Sequence, residues 1–133
     1  MSSTPAISLR GFSNLRGHGY ASLTTFRKTG KPVPTPIWFA GDDTLIYIWT
    51  NAKSGKVKRL RNNPRVTVAP CTARGRVLGP AAEATAQVFP ASAEQAEAAR
   101  RLLRTKYGWQ WLVSISFSRL FRRESVFLKV EAD

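Results

Sequence analysis

Acids are scarce in this chain. Only 8 Asp and Glu stand against 21 Lys and Arg in 133 residues, a formal net charge of +13. The acids are also scattered. Asp42 and Asp43 sit in a turn, and Glu94 and Glu97 lie on a helical stretch with basic neighbours, so no carboxylate pair suggests general acid and base work. The one histidine, His18, stands in a glycine-flanked loop, which argues against a metal site. The one cysteine, Cys71, excludes an internal disulfide and reads as a packed small residue at a strand end; a reducing cytoplasm is the expected compartment. No apolar run is long enough for a transmembrane helix. Met1-Ser2-Ser3-Thr4-Pro5 lacks the charged start and apolar stretch of a signal peptide. Neither G-x-x-x-x-G-K-[ST] nor G-x-G-x-x-G occurs.

What is present is regular. The length suits one domain spanning residues 1–133 with a real core. Alternating and β-branched runs predict strands at Tyr20–Phe26, Val33–Phe39, Leu45–Trp49, Val66–Ala69, Ala82–Phe89 and Ser125–Val130. Turn residues separate them at Lys28-Thr29-Gly30-Lys31 and Gly41-Asp42-Asp43, the spacing of an antiparallel meander. A helical turn is expected around Leu9–Leu15. Ser92-Ala93-Glu94-Gln95 reads as a capping box opening a helix with an apolar stripe of Ala96, Ala99, Leu103 and Tyr107 and an ion pair of Glu97 with Arg101. Gly108 ends it. Trp109, Leu112, Val113, Phe117, Leu120 and Phe121 form a second helical face, expected to pack on the core. Six strands and two or three helices, with neither repeats nor linkers, predict a mainly β fold with helices: a small β-barrel with helices packed on it.

Two segments stand out. Trp49-Thr50-Asn51-Ala52-Lys53-Ser54-Gly55-Lys56-Val57-Lys58 reads as a strand end, a turn and a helix start with Ser54 as N-cap. Lys53, Lys56 and Lys58 crowd the positive end of the helix dipole, where each cation is unfavourable by about 0.3–1 kcal/mol. An anion such as phosphate at the free N–H groups would relieve that conflict; a solvated basic turn is the plainer reading. In Pro32-Val33-Pro34-Thr35-Pro36 the prolines repeat at a spacing of two, so all donors on one edge of that strand are missing. Such an edge is either blunted against aggregation or left open for a flat ligand. A chain without acid pair, nucleophile or metal can still catalyse if a bound ring carries the hydride, because position and exclusion of water then suffice.

Gly30-Lys31-Pro32-Val33-Pro34-Thr35-Pro36-Ile37-Trp38-Phe39, Thr50-Asn51 with Ser54 and Lys56, and Asn63-Pro64-Arg65-Val66 together resemble the pyridoxamine 5′-phosphate oxidase-like superfamily. The similarity runs from about Tyr20 to Val88. The Pro-Val-Pro-Thr-Pro run, Ala69-Pro70-Cys71 and Lys106-Tyr107-Gly108-Trp109-Gln110 are similar to its actinobacterial deazaflavin (coenzyme F420)-dependent branch. The resemblance implies an FMN-binding-type split β-barrel, a homodimer, and a flavin or deazaflavin held across the subunit interface. It implies that Thr50, Ser54 and Lys56, with Lys53 beside them, hold the cofactor phosphate, that Trp49 and Asn51 flank them, and that Pro34, Thr35, Pro36, Ile37 and Trp38 border the ring. Thr35, Ala40 and Gly55 fall where FMN-binding members carry basic residues, which favours coenzyme F420 over FMN. The reading is an oxidoreductase passing hydride from reduced coenzyme F420 to a small acceptor. FMN binding is the first alternative, and a non-enzymatic basic module for nucleic acid or cofactor carriage the second. Specific nucleic-acid binding is not expected. Arg119, Arg122 and Arg123 beside apolar residues also leave a membrane-surface role for Trp109–Arg123 open.

Overall fold

The structure, a computed structural model, describes residues 11–120 and 124–133. Seven strands are formed: β1 (Tyr20–Phe26), β2 (Pro32–Ile37), β3 (Ala40–Gly41), β4 (Leu45–Asn51), β5 (Arg65–Cys71), β6 (Ala82–Pro90) and β7 (Ser125–Ala132). They make one antiparallel sheet in the order β2-β1-β5-β6-β7-β4-β3. Six of them are the strands expected from alternation. The seventh, β3, is two residues long, too short to carry a pattern. It exists because Asp42 closes a tight hairpin, its Oδ1 accepting the N–H groups of Thr44 and Leu45 at 2.9 Å each. Gly41 is required there, since a Cβ would lie 2.1 Å from the Leu45 carbonyl oxygen.

β2 is an edge strand, paired with β1 through the register Ala21–Ile37, Leu23–Thr35 and Thr25–Val33. Its only ladder donors are Val33, Thr35 and Ile37, because Pro32, Pro34 and Pro36 have no N–H. The strand stops at Ile37, short of the expected Phe39. The Phe39 N–H leaves the ladder and donates to the Tyr107 hydroxyl at 2.9 Å.

Both faces of the sheet are covered. One core cluster takes residues from β1, β2, β4, β5, β6 and β7, with Leu60 and Leu15 packed in, which is how a sheet rolled into a split barrel fills its interior. The other cluster joins Phe89 and Phe127 to the helices. Three α-helices complete the fold: α1 (Gly55–Asn62), α2 (Gln95–Tyr107) and α3 (Trp109–Leu120). A short 3₁₀ turn at Ser13–Leu15 meets part of the turn expected near Leu9–Leu15; Leu9 itself lies outside the described residues.

α2 buries Ala96, Ala99, Leu103 and Tyr107, the stripe its periodicity predicts. Its start differs from the expectation. Glu94, in helical conformation, precedes the helix and makes no side-chain cap bond. The Pro90–Ala93 turn runs straight into the helix, with Ala96 N–H donating to Ala93 O at 3.0 Å and Glu97 N–H to Glu94 O at 3.3 Å. Backbone carbonyls thus serve these amides in place of the Ser92 hydroxyl, and the capping box does not form. Glu97 pairs with Arg100 at 3.6 Å rather than with Arg101, because Arg100 is drawn inward over the Phe127 ring, 5.6 Å from its centroid.

α3 lies the other way round from the expected orientation. Trp111 and Ser118 are buried, and Ile115 packs beside them. The predicted apolar face, Trp109, Leu112, Val113, Phe117 and Leu120, is exposed, and Phe121 is outside the described residues. The anchor is Trp111, whose ring meets Trp49 edge-on with centroids 5.3 Å apart and planes at 69°. The opposite face also carries aromatics, Trp109 and Phe117, so the partner that the sheet offers at Trp49, and not side-chain size, decides which face turns inward.

Candidate functional site

The end of β4 and the start of α1 form one continuous segment. Ala52 N–H donates to Glu124 O at 2.9 Å, tying the turn to the residue before β7. Asn51 shapes the turn: its Oδ1 accepts Lys53 N–H at 2.9 Å and its carbonyl accepts Ser54 N–H at 3.0 Å. Ser54 then takes the N-cap position in extended conformation, as its sequence context predicts, and its carbonyl accepts Lys58 N–H at 3.4 Å. Its hydroxyl does not cap the helix. The Oγ is buried and has no hydrogen-bond partner. An unsatisfied buried hydroxyl costs about 1–3 kcal/mol.

The charges around that hydroxyl are positive. The first turn of α1 holds no acid. Lys56 is half-buried, and its pKa is pushed down by burial and by the neighbouring Arg59 guanidinium. Arg59 is the residue that sequence reasoning missed. Its Nε donates to Thr25 Oγ1 of β1 at 2.6 Å, and its guanidinium folds back over Gly55. A Cβ at position 55 would lie 2.8 Å from Arg59 Nη1. The signal was available in the i,i+4 spacing of Gly55 and Arg59, which places them on one helix face. It corrects one inference: Gly55 does not remove positive charge from this point, since Arg59 supplies it, so Gly55 no longer argues against FMN.

Trp49, Thr50 and Asn51 line a pocket of about 400 Å³ with Val113, Ser114, Phe117, Ser118 and Ser125. Thr50 is buried in β4 opposite Val126. Trp49, Thr50, Asn51, Lys53, Ser54 and Lys56 therefore sit together at one end of β4. Pro34, Thr35, Pro36, Ile37 and Trp38 do not join them along the sheet, where β1, β5, β6 and β7 lie between β2 and β4. Trp38 is stacked on Tyr107, with centroids 4.3 Å apart and planes at 7°.

A second cleft, about 620 Å³, lies between β3 and the 3₁₀ turn and reaches Lys106. The Lys106 ammonium donates to Phe39 O at 2.8 Å and sits 3.4 Å from the Phe39 ring centroid; burial lowers its pKa to about 8. The Tyr107 hydroxyl lies 2.9 Å from the carbonyl oxygens of Gly19 and Phe39, and burial pushes its pKa up to about 12. These groups fasten the β2–β3 connection. Among the described residues, no group of three or more His, Cys, Asp or Glu is placed to hold a metal. Cys71 is buried, and burial raises its thiol pKa, which disfavours the thiolate form.

Known structures share this architecture. The haem storage protein HutZ from Vibrio cholerae superposes with a TM-score of 0.68 at 12% identity, covering 89% of this chain and 84% of its own. A protein described as an F420 reductase gives 0.57 at 18%, covering 94% and 95%. An FAD-binding protein from Mesorhizobium loti gives 0.60 at 18%, covering 90% and 84%. At these identities the likeness is one of fold. No curated protein matches the chain. The family described as pyridoxamine 5'-phosphate oxidase matches residues 11–131, and the chain belongs to that family.

Proposed function

We propose that the protein is a homodimeric split-barrel oxidoreductase that draws hydride from reduced coenzyme F420 and passes it to a small organic acceptor. The observation that carries the reading is the buried, unpartnered Ser54 hydroxyl at a helix start surrounded by cations. Residues that would be costly without a ligand fit a phosphate well: free N–H groups, a hydroxyl donor, and the Lys56 and Arg59 charges. Coenzyme F420 offers a phosphodiester there, and its acidic tail suits a chain of net charge +13. A protein described as an F420 reductase shares the fold, which is consistent with this choice.

Thr50, Lys53, Ser54 and Lys56, with Arg59, would hold the phosphate. Trp49 and Asn51 would shape the floor beside it. The Pro34–Trp38 segment would border the ring. In one chain the start of α1 comes near the β1–β2 edge, because Arg59 bonds Thr25, the register partner of Val33; a two-fold dimer would add a second copy of each group across the interface. The bound deazaflavin supplies the hydride chemistry. The chain's own part is to hold, orient and keep water out, and the pocket walled by Trp49, Val113 and Phe117 is large enough for a small acceptor. A solvent proton can complete the reduction, so no carboxylate pair is needed.

FMN remains the alternative cofactor. The argument against it now rests on Thr35, half-buried in β2, and on Ala40, buried in β3. A non-enzymatic, nucleic-acid-binding module is the alternative of another class, supported by charge alone. Side-by-side fluorescence titrations test all three. Deazaflavin is expected to bind at least about tenfold tighter than FMN, about 1.4 kcal/mol. Equal or tighter FMN binding would sink the deazaflavin assignment and leave the fold intact. Tight binding of an oligonucleotide that falls steeply with salt would promote the third reading.

A further inference from the structure

The cavity between the end of β4 and α3 differs in kind from the cationic helix start beside it. Its volume of about 400 Å³ lies within the roughly 300–1,000 Å³ of small-molecule pockets. Exposure orders its lining. Thr50 and Ser118, each 8% exposed, form the floor, and Val113 and Phe117, 58% and 52% exposed, form the rim. Asn51 adds an amide to the wall. Its Oδ1 is held by the Lys53 N–H at 2.9 Å, which fixes the group and leaves its NH2 as a donor. Asn51 also ties the cavity to the start of α1, since its carbonyl accepts the Ser54 N–H. None of the described lining residues is ionisable, in a chain with 21 Lys and Arg. Arg100 and Arg119 line the adjoining cavity of about 140 Å³, where Arg100 is engaged with Ala91 O and Glu97.

We propose that this pocket takes an uncharged, flat ring compound whose carbonyl oxygen accepts a hydrogen bond from the Asn51 NH2 group. A carboxylate or phosphate entering here would shed its water without meeting a counter-charge, so the pocket selects against the groups that suit the helix start. A carbonyl oxygen is served by the amide and the hydroxyls, and a flat ring covers Trp49 and Phe117. The order of the lining separates a small molecule from a protein partner. Subunit contacts place apolar groups at the centre and polar groups at the rim. Here the hydroxyls lie deep and the apolar side chains stand at the mouth, the arrangement that orients a small ligand. Only the identity of this compound as the hydride acceptor rests on the proposed function; its binding does not.

Calorimetric titration of the full chain without cofactor tests it, using 2-acetylnaphthalene and 2-naphthoate, which are close in shape and differ in charge. The ketone is expected to bind at least about tenfold tighter, although a net charge of +13 draws the anion to the surface. Val113→Lys puts a cation on the exposed rim, and lysine is a good helix former, so the wild-type melting temperature should hold. This variant should erase or reverse the preference. Asn51→Asp keeps the acceptor for the Lys53 N–H and removes the NH2 donor. It should weaken ketone binding by about two- to tenfold, the range for one hydrogen bond. Equal or tighter binding of 2-naphthoate by the wild type would overturn the proposal. So would an unchanged preference in Val113→Lys, or undiminished ketone binding by Asn51→Asp. Failure of both probes to bind would overturn it too, and a dimeric sedimentation mass would then assign the pocket to the partner subunit. Because no cofactor is present, each of these failures leaves the cofactor assignment to its own titration.

Discussion

The starts of α1 and α2 obey opposite rules. α2 opens with Glu97 in its first turn and ends with Arg104 and Lys106 in its last, the distribution that the helix dipole favours. Its entry is tied down from within: Arg100 donates to Ala91 O, lies over Phe127 and pairs with Glu97. α1 opens with no acid, a buried hydroxyl without a partner, and Lys56, whose pKa is lowered by burial and then by the neighbouring Arg59. One start is arranged for the stability of the chain itself. The other carries local penalties that an anion would remove, and such departures from self-consistency concentrate at functional sites.

The largest effect that would sharpen this contrast is on binding. Lys56→Ala is expected to weaken deazaflavin binding by about 1.5–3 kcal/mol, the range for a charge-assisted hydrogen bond. The same change should leave the melting temperature of the cofactor-free protein unchanged or slightly raised, because it removes a cation from the positive end of the dipole. Titration and a thermal melt read the two effects separately. A destabilised protein with unaltered affinity would mean that Lys56 belongs to the fold, and the contrast between the helix starts would lose its functional meaning.

At α2 the signature should invert. Arg100→Ala removes a hydrogen bond to Ala91 O and a cation–π contact with Phe127, at an expected cost of about 1–2 kcal/mol in unfolding free energy. Urea unfolding measures it. Cofactor affinity should stay at the wild-type value, and a matching loss of affinity would show that the two starts are not independent.

The smallest effect concerns pH. Burial sets the folded pKa of Lys56 below its unfolded value, so in the alkaline window between them the unfolded chain binds more protons. The contribution of Lys56 to stability therefore rises with pH across that window. Cofactor affinity should fall across the same window as the ammonium is lost. Lys106, lowered to about 8, adds a rise of its own, so the quantity to measure is the difference between wild type and Lys56→Ala. A difference that stays flat in both stability and affinity would contradict the burial of Lys56.

Much of this arrangement is visible in the chain before it folds. The six longer strands announce themselves by alternation, the buried stripe of α2 by its spacing, and the cationic start of α1 by three lysines around Ser54. Each signal is short-range, spanning a few residues whose periodicity or turn chemistry is self-contained. The Ser92 capping box shows where such signals stop. Its residue types are right, but the turn from Pro90 supplies backbone carbonyls first, and the hydroxyl goes unused.

The proline spacing at 32, 34 and 36 by itself determined that β2 could give ladder donors in one direction only, since the missing N–H groups are a covalent fact. The lysines at 53, 56 and 58 likewise determined that α1 would begin against its own dipole. The tertiary structure alone decided that Ser54 Oγ would be buried without a partner and that Arg59 would reach Thr25, 34 residues away. It alone decided which side of α3 turned inward. Both stripes of that helix are apolar at the same period, so periodicity cannot choose between them; the contact between Trp111 and Trp49, residues far apart in sequence, makes the choice. Such contacts depend on where the sheet brings distant segments together, and no local pattern carries that information.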